Sequence, residues 1–580
     1  MWGGKKTTIM VVISVLLITN SAFAAHGKVA RDLDLTTAGS QTVDVIVQYN
    51  VPPTSKHLSK AQGHGALVKQ QLGLIHSNAY SISKNQLSQL LADDPDIAYV
   101  SPDRKVSSSG TSFTDAFVAV NADISRSYGY DGTGIGVAVI DSGIGASGPG
   151  GAVPDLGRHV VFQQDFTGQG TDDQYGHGTH VAGIIGGNGS KSTCPSCVLT
   201  YYGIAPGVNL VSLKALDSTG SGSDSNVISA IQTAIALKSK YNIRVINLSI
   251  GRGIYESYAT DPLTQAVEQA WKNGIFVVVA AGNYGRDNSN GNNGYGTITS
   301  PGNDPYVITV GAMRTMGTQS RSDDAIASYS SKGPSMLDHV VKPDLVAPGN
   351  LIVSTLGAKA SLDTTYPSTQ LPLAAYQKPA PAGMSPNYFV LSGTSMAAPF
   401  VSGTAALMLQ KDPTLTPDQL KARLMKTAYK NLPLYTSATD PVTGVTYYEQ
   451  ADIFTVGAGY LDTAAALNNT DIALGTVGGA LSPTAQYDPT TGQTTLVFGD
   501  SVTWGTSVTW GTSVTWGTSV IWGTSTTGQS IVWGSSVVWG SSTTQGFSIV
   551  WGTSTAPMSI VWGSSNTGSD ATSVVVNGDK

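Results

Sequence analysis

Apolar positions recur along the chain with three different patterns. From Ala25 to about Gly110 they alternate with polar ones, as in Val43-Asp44-Val45-Ile46-Val47, which predicts half-buried strands. A helical stretch over Lys84–Ala92 and a short strand at Ile97–Val100 follow, so residues 25–110 form a small α+β module. From Thr111 to Leu467 the apolar runs become short and continuous: Ile135–Ile140, Val208–Leu213, Val245–Ile250 and Ile275–Ala281. Helical stretches such as Asn226–Tyr241 and Pro262–Asn273 lie between them. Continuous apolar strands alternating with helices predict an α/β fold, a parallel sheet with helices on both faces. In such sheets the ligand crevice lies beyond the carboxyl ends of the strands.

After a linker over residues 468–500 the third pattern begins, in a tail assigned to residues 501–580. Ser501–Ser569 holds no Asp, Glu, Lys or Arg, yet carries Trp504, Trp510, Trp516, Trp522, Trp533, Trp539, Trp551 and Trp562, each followed by Gly. The first four repeat every six residues. An even period puts Val502, Trp504, Val508 and Trp510 on one face of an extended chain. The step from Trp522 to Trp533 reverses that parity and requires a turn, placed at Thr527-Gly528-Gln529. Two readings stay open for this tail: stacked strands whose aromatics bind carbohydrate or a cell surface, or a low-complexity, disordered stalk with no ligand.

Composition narrows the class. Net charge is −6 with 12% charged residues and no Lys/Arg cluster, which excludes a nucleic-acid binder. Residues 1–24 have the form of a secretory signal: Lys5 and Lys6, an apolar run from Ile9 to Ile18, then Ala22-Phe23-Ala24. That run is too short to cross a membrane, so an exported protein is expected. The two cysteines, Cys194 and Cys197, lack further zinc ligands, which leaves a short-range disulfide as the first reading and two free surface thiols as the alternative.

Three separated motifs carry chemistry together. Val137-Ala138-Val139-Ile140-Asp141-Ser142-Gly143 places a carboxylate where a buried strand ends. Gly176-His177-Gly178-Thr179-His180 opens a helix with a histidine, and Ser392-Gly393-Thr394-Ser395-Met396-Ala397-Ala398-Pro399 sets a serine in a turn entering another helix. Between them Ala281-Gly282-Asn283 offers an amide just past a strand. A serine hydroxyl needs a base to become a nucleophile, and histidine supplies one near neutral pH. A carboxylate holds the imidazole tautomer, and fixed donors receive the developing oxyanion; Asn283 and the Ser395 N–H are the candidates.

The order Asp, His, Ser and the strings that hold them resemble the subtilisin-family serine proteases. The resemblance covers roughly Ala116–Leu467. It implies Asp141 as orienting carboxylate, His177 as general base, Ser395 as nucleophile and Asn283 as oxyanion donor. It further implies that Val43–Val106 acts as an inhibitory propeptide, removed by self-cleavage between Lys105 and Thr114. Gly220-Ser221-Gly222 and Ser249-Ile250-Gly251 correspond to segments that pair with a peptide substrate, and Ser300-Pro301-Gly302 to a pocket floor with a cis bond before Pro301. The expected partners are protein or peptide substrates and the enzyme's own propeptide, and the expected location is extracellular, with surface association through the tail.

No cofactor is required for this chemistry, and structural calcium is left open. The family's calcium loop is not recognisable, since Asn188–Cys197 occupies its place. Asp287–Asn293 is rich in oxygen ligands but holds one carboxylate, which fits weak binding or an ordinary Asn-Gly turn. His180 is expected to be structural. A Pro-rich insertion, Ala358–Pro386, precedes the serine motif.

Overall fold

A computed structural model describes residues 28–30, 33, 35, 41–72, 76–102, 113–145, 153–289, 291–357, 360–471, 477–488, 493–497, 520–522, 531–533, 537–538 and 568–579. The signal segment, the cleavage interval from Lys105 to residue 112 and most of the Trp-Gly repeat lie outside these residues. The chain divides after Ser108 into two compact units.

The first unit runs β1 (Thr42–Tyr49), α1 (Ser55–Gly63), β2 (Leu67–Leu72), β3 (Ser77–Ser83), α2 (Lys84–Asp93) and β4 (Ile97–Pro102). Its antiparallel sheet has the order β2-β3-β1-β4, a ferredoxin-like βαββαβ arrangement. The alternation at Val43–Val47 has the predicted consequence: Val45 and Val47 point into a core with Tyr80, Ile82, Leu87, Leu90 and Val100. Ser83 caps α2 by accepting from the Gln86 N–H.

The second unit is built on β5 (Gly136–Asp141), β6 (Val160–Asp165), β7 (Asn209–Lys214), β8 (Ile243–Leu248), β9 (Phe276–Ala280) and β10 (Ile308–Arg314). These six strands run parallel in the order β6-β7-β5-β8-β9-β10. The sheet is not wholly parallel as the apolar runs predict. β11 (Ala325–Ile326) pairs antiparallel with the end of β10, while β12 (Leu345–Pro348) joins β10 in parallel. Two residues at a sheet edge leave no periodic trace, and the chain reaches them by a turn rather than a helical crossover.

α3 (His177–Gly186), α4 (Asp224–Tyr241), α5 (Pro262–Lys272) and α6 (Thr394–Lys411) cover the sheet, α3 packing on α6 and α4 on α5. β5, β9 and β10 are buried along their whole length, which explains their unbroken apolar sequences. After β7 the chain passes to the far side of β5 to form β8, so β5 and β8 flank the switch point. The Pro-rich insertion contributes to a second sheet of β13 (Ile352–Thr355), β14 (Gln370–Pro372) and β15 (Met384–Leu391). Cys194 and Cys197 form a disulfide whose loop lies against this insertion, Lys378 N–H donating to the Ser196 carbonyl at 2.7 Å.

In the tail, Val520–Trp522 pairs antiparallel with Ile531–Trp533, so the chain reverses within the interval that contains Thr527–Gln529. Those three residues themselves lie outside the described ones.

Candidate active site

Every candidate side chain sits beyond the carboxyl end of a parallel strand or on the first turn of a helix facing that end. Asp141 is the last residue of β5, and its Oδ1 accepts from Ser142 N–H at 2.8 Å. The same oxygen lies 2.8 Å from Nδ1 of His177, the first residue of α3. Both side chains are buried, at 0% and 1% exposure, so the pair is shielded from water. Helix and strand approach closely because residue 178 has no side chain: a Cβ there would lie 2.2 Å from the Gly143 carbonyl and 3.1 Å from Asp141 Cβ.

Asp173, which the motifs do not single out, fastens this junction. Its carboxylate accepts from the Gly176 N–H at 2.7 Å, the Thr179 N–H at 2.8 Å and the Thr179 hydroxyl at 2.6 Å, all at the N-terminal end of α3. It also accepts from the Ser142 hydroxyl at 2.8 Å, which ties the helix start to the residue after Asp141. Asp173 lies three residues before the N-cap, Gly176, outside the position from which a cap is read in a sequence, so only the fold reveals this role.

Ser395 occupies the second position of α6, where a backbone N–H has no intrahelical partner. Pro399 lies four residues later and has no N–H, so the Ser395 carbonyl loses its helical donor. The Ser249 hydroxyl replaces it at 2.8 Å, and is itself held by Asn247 Nδ2 at 2.9 Å. The Ser395 hydroxyl points to the carbonyl of the same Ser249, at 3.4 Å. Asn283 follows β9, and its amide oxygen accepts from the Thr394 N–H at 2.9 Å and the Thr394 hydroxyl at 3.1 Å. With its oxygen so tethered, the amide turns its NH₂ toward the Gly393–Ser395 turn.

The structure joins two of the three expected substrate segments. Ser249-Ile250-Gly251 continues β8, and Arg252 exchanges backbone hydrogen bonds with Ser300 at 3.0 and 2.9 Å. The Ser300–Pro301 bond is cis. The Ser300 hydroxyl donates to Asp261 at 2.8 Å, and Asp261 also accepts from Arg252, so this hydroxyl is committed to a buried network. In the third segment, Gly220-Ser221-Gly222, Gly222 forms an antiparallel bridge with Leu216. A Cβ at Gly220 would fall 2.5 Å from the ring of Tyr175, which stacks near His177. Burial raises the Tyr175 hydroxyl above its ordinary pKa, so it stays a neutral neighbour of His177.

His180 is fully buried, its Nε2 donating to the Ile352 carbonyl at 2.9 Å, and burial lowers its pKa to about 3. A neutral imidazole packed edge-on against Phe389 is structural. At the loop in the calcium position, Asp155 is filled by protein donors: Ser190 hydroxyl and Lys191 N–H on Oδ1, both at 2.8 Å, and the Tyr388 hydroxyl on Oδ2. In Asp287–Asn293 the Asn293 carbonyl already accepts from the Lys332 ammonium at 2.9 Å, a competitor for any cation. Among the described residues His57, Asp94 and Asp96 converge in the first unit. His57 Nδ1 accepts from the Thr54 N–H at 3.0 Å, which leaves the proton on Nε2, facing Asp96 at 3.1 Å. That tautomer makes a helix cap and not a metal ligand.

A buried carboxylate–imidazole pair, a serine on an adjoining helix and a tethered amide at the ends of parallel strands define a serine hydrolase. Residues 132–459 match the model of the Subtilase family, peptidase S8. The chain is 34% identical over 368 residues to "Serine protease AprX" of Bacillus subtilis (strain 168), covering 62% of this chain and 75% of that protein. It is 32% identical over 432 residues to "Subtilisin E" of the same strain, covering 73% and 94%. Against "Extracellular serine proteinase" of Thermus sp. (strain Rt41A) it is 32% identical over 373 residues, covering 61% and 71%. A solved cold-adapted subtilisin-like serine proteinase shares 29% identity over 58% of this chain and 90% of that one, with a TM-score of 0.37. The chain belongs to the subtilase family and is a subtilisin-like serine protease acting on protein or peptide substrates.

Proposed function

We propose that Ser395, His177 and Asp141 carry peptide-bond hydrolysis through an acyl-enzyme intermediate. The Ser395 hydroxyl leaves its long contact with Ser249 and gives its proton to Nε2 of His177 as Oγ attacks the scissile carbonyl. Asp141 holds the Nδ1 proton and stabilises the imidazolium. The oxyanion is received by Asn283 Nδ2 and the Ser395 N–H. His177 then protonates the leaving amine, and water repeats the cycle on the ester. The 2.8 Å contact between the buried Asp141 and His177 side chains carries this reading. A fluorophosphonate probe tests it: Ser395 is labelled in the parent chain and not in Ser395→Ala. Labelling that persists in that variant refutes the assignment.

In the same reading the enzyme is exported by residues 1–24 and made as a precursor whose first unit inhibits it until self-cleavage near Lys105–Thr114. The independent core of that unit supports such a detachable module. The purified Ser395→Ala precursor should keep its leading segment, and normal processing without another protease would exclude self-cleavage. Peptide specificity is assigned to backbone pairing along Gly220–Gly222 and Ser249–Gly251, with Ser300–Gly302 flooring a pocket. The Trp-Gly repeat is assigned to surface or carbohydrate attachment, and equal retention on polysaccharide by a repeat-deleted chain would count against that.

A further inference from the structure

The last residues of the chain are packed inside the peptidase unit, although the sequence pattern assigns them to the repeat tail. α7 (Gly568–Asn577) buries Val574 and Val575 in the core that also holds the central sheet. The Val575 carbonyl accepts from the Ser392 N–H at 2.9 Å. Gly578 follows at φ +60°, where a Cβ would lie 2.5 Å from both Asn350 Oδ1 and Ser392 Oγ. Only glycine passes through that gap.

Asp579, 1% exposed, then enters a built anion site. Its Oδ1 accepts from Arg286 Nη2 at 2.6 Å and the Ser328 hydroxyl at 2.7 Å, and its Oδ2 from the Ser328 N–H at 2.7 Å. Asn350 binds the backbone on both sides, accepting from the Asp579 N–H at 2.8 Å and donating to its carbonyl at 3.1 Å. A carboxylate leaves water only when charge and hydrogen bonds replace it, and here both do.

Two of these partners adjoin the chemistry. Arg286 lies three residues after Asn283, and Ser392 three before Ser395. Ser392 is fixed further by the Leu351 N–H, which donates to its hydroxyl at 2.9 Å. We propose that Gly568–Asp579 is a clasp: this segment, which follows the repeat, packs on the peptidase unit and positions the nucleophile turn and the oxyanion loop. The positioning role rests on the assignments of Ser395 and Asn283 made above. Ser482 and Ala485 are docked on the same unit, through Asp344 and the His339 carbonyl. The Trp-Gly repeat is therefore held at both ends, and a cut within it leaves the clasp bound without a covalent link.

The test begins by inserting a site for an orthogonal protease after Gly528 in the full Ser395→Ala chain. After cutting, the C-terminal fragment should co-elute with the peptidase unit in native gel filtration and separate in denaturant. A fragment that elutes alone overturns the clasp. Adding Asp579→Ala should release it, and retention unchanged by that substitution would overturn the anion site as the anchor. In the active, uncut chain, Asp579→Ala should lower kcat by roughly 10- to 100-fold per fluorophosphonate-labelled site, with KM within about twofold, the cost of an ångström-scale displacement. An unchanged kcat per labelled site would overturn positioning even if the melting temperature fell. Failure of Ser395 to take the probe in the parent chain would instead remove the catalytic assignment, leaving the co-elution result intact.

Discussion

Removing the Asp173 carboxylate should loosen the enzyme at the point where its histidine is mounted. Asp173→Ala strands four donors: the Ser142 hydroxyl, the Gly176 N–H, and the N–H and hydroxyl of Thr179. Ser142, Gly176 and Thr179 are all buried, so water reaches these donors poorly. A buried donor left unpaired costs about 1–3 kcal/mol, and a lost helix cap about 1 kcal/mol. Because the four share one site their costs are not additive, and a total of about 3–5 kcal/mol is expected. That is a large part of the ~5–15 kcal/mol that holds a domain together. At about 2 °C per kcal/mol for a large unit, the melting temperature should drop by roughly 6–10 °C. Calorimetry in the Ser395→Ala background, where self-digestion cannot intrude, measures it. Asp173→Asn, which keeps one acceptor, should fall between. In the active enzyme kcat/KM on a chromogenic tetrapeptide should fall with Asp173→Ala, since His177 begins the helix that loses its cap. A melting temperature within about 2 °C of the parent would refute the claim that this carboxylate fastens α3.

Other outcomes follow from the same geometry. Asn283→Ala should cut kcat by roughly two to three orders of magnitude with little change in KM, a magnitude carried over from subtilisin's own oxyanion asparagine; steady-state kinetics decide it. His180 is neutral in the fold, with a pKa of about 3 against 6.5 when unfolded, so its stabilising share is present above pH 6.5 and lost as pH falls toward 3. An acid limb of the denaturation profile unchanged by His180→Asn would contradict this. Asp304 has the opposite sign. Burial raises it to about 7 from 3.8, so the fold loses stability as pH rises from about 4 through 7. Asp304→Asn should raise the melting temperature at pH 8 and change it little at pH 4. Met396 is fully buried beside the nucleophile, and mild peroxide should lower turnover as a polar sulfoxide forms there; full activity with Met396 oxidised counts against it.

Much of the site was legible because its chemistry travels in contiguous strings. Gly176–His180 and Ser392–Pro399 each carry a reactive side chain together with the small residues that let backbones approach it. The central strands were legible too, since burial on both faces leaves an unbroken apolar run. The supports were not. Asp173 reads as an ordinary loop acid until α3 is seen to begin where its two oxygens point. Ser249, expected to pair with substrate, also repairs the helix carbonyl that Pro399 leaves without a donor. The edge strand β11 is two residues long, too short for any period to show.

By itself, then, the order of residues determined which groups could react and which segments must be buried, because reactivity belongs to side-chain types and burial to apolar spacing. Folding alone decided who stands next to whom. It carried Asp141 to His177, set the Ser395 carbonyl on Ser249, and brought an aspartate near the chain's end to an arginine 293 positions earlier. No local pattern encodes such meetings, since a hydrogen bond depends on distance and direction in space, and the chain crosses the sheet many times between its partners.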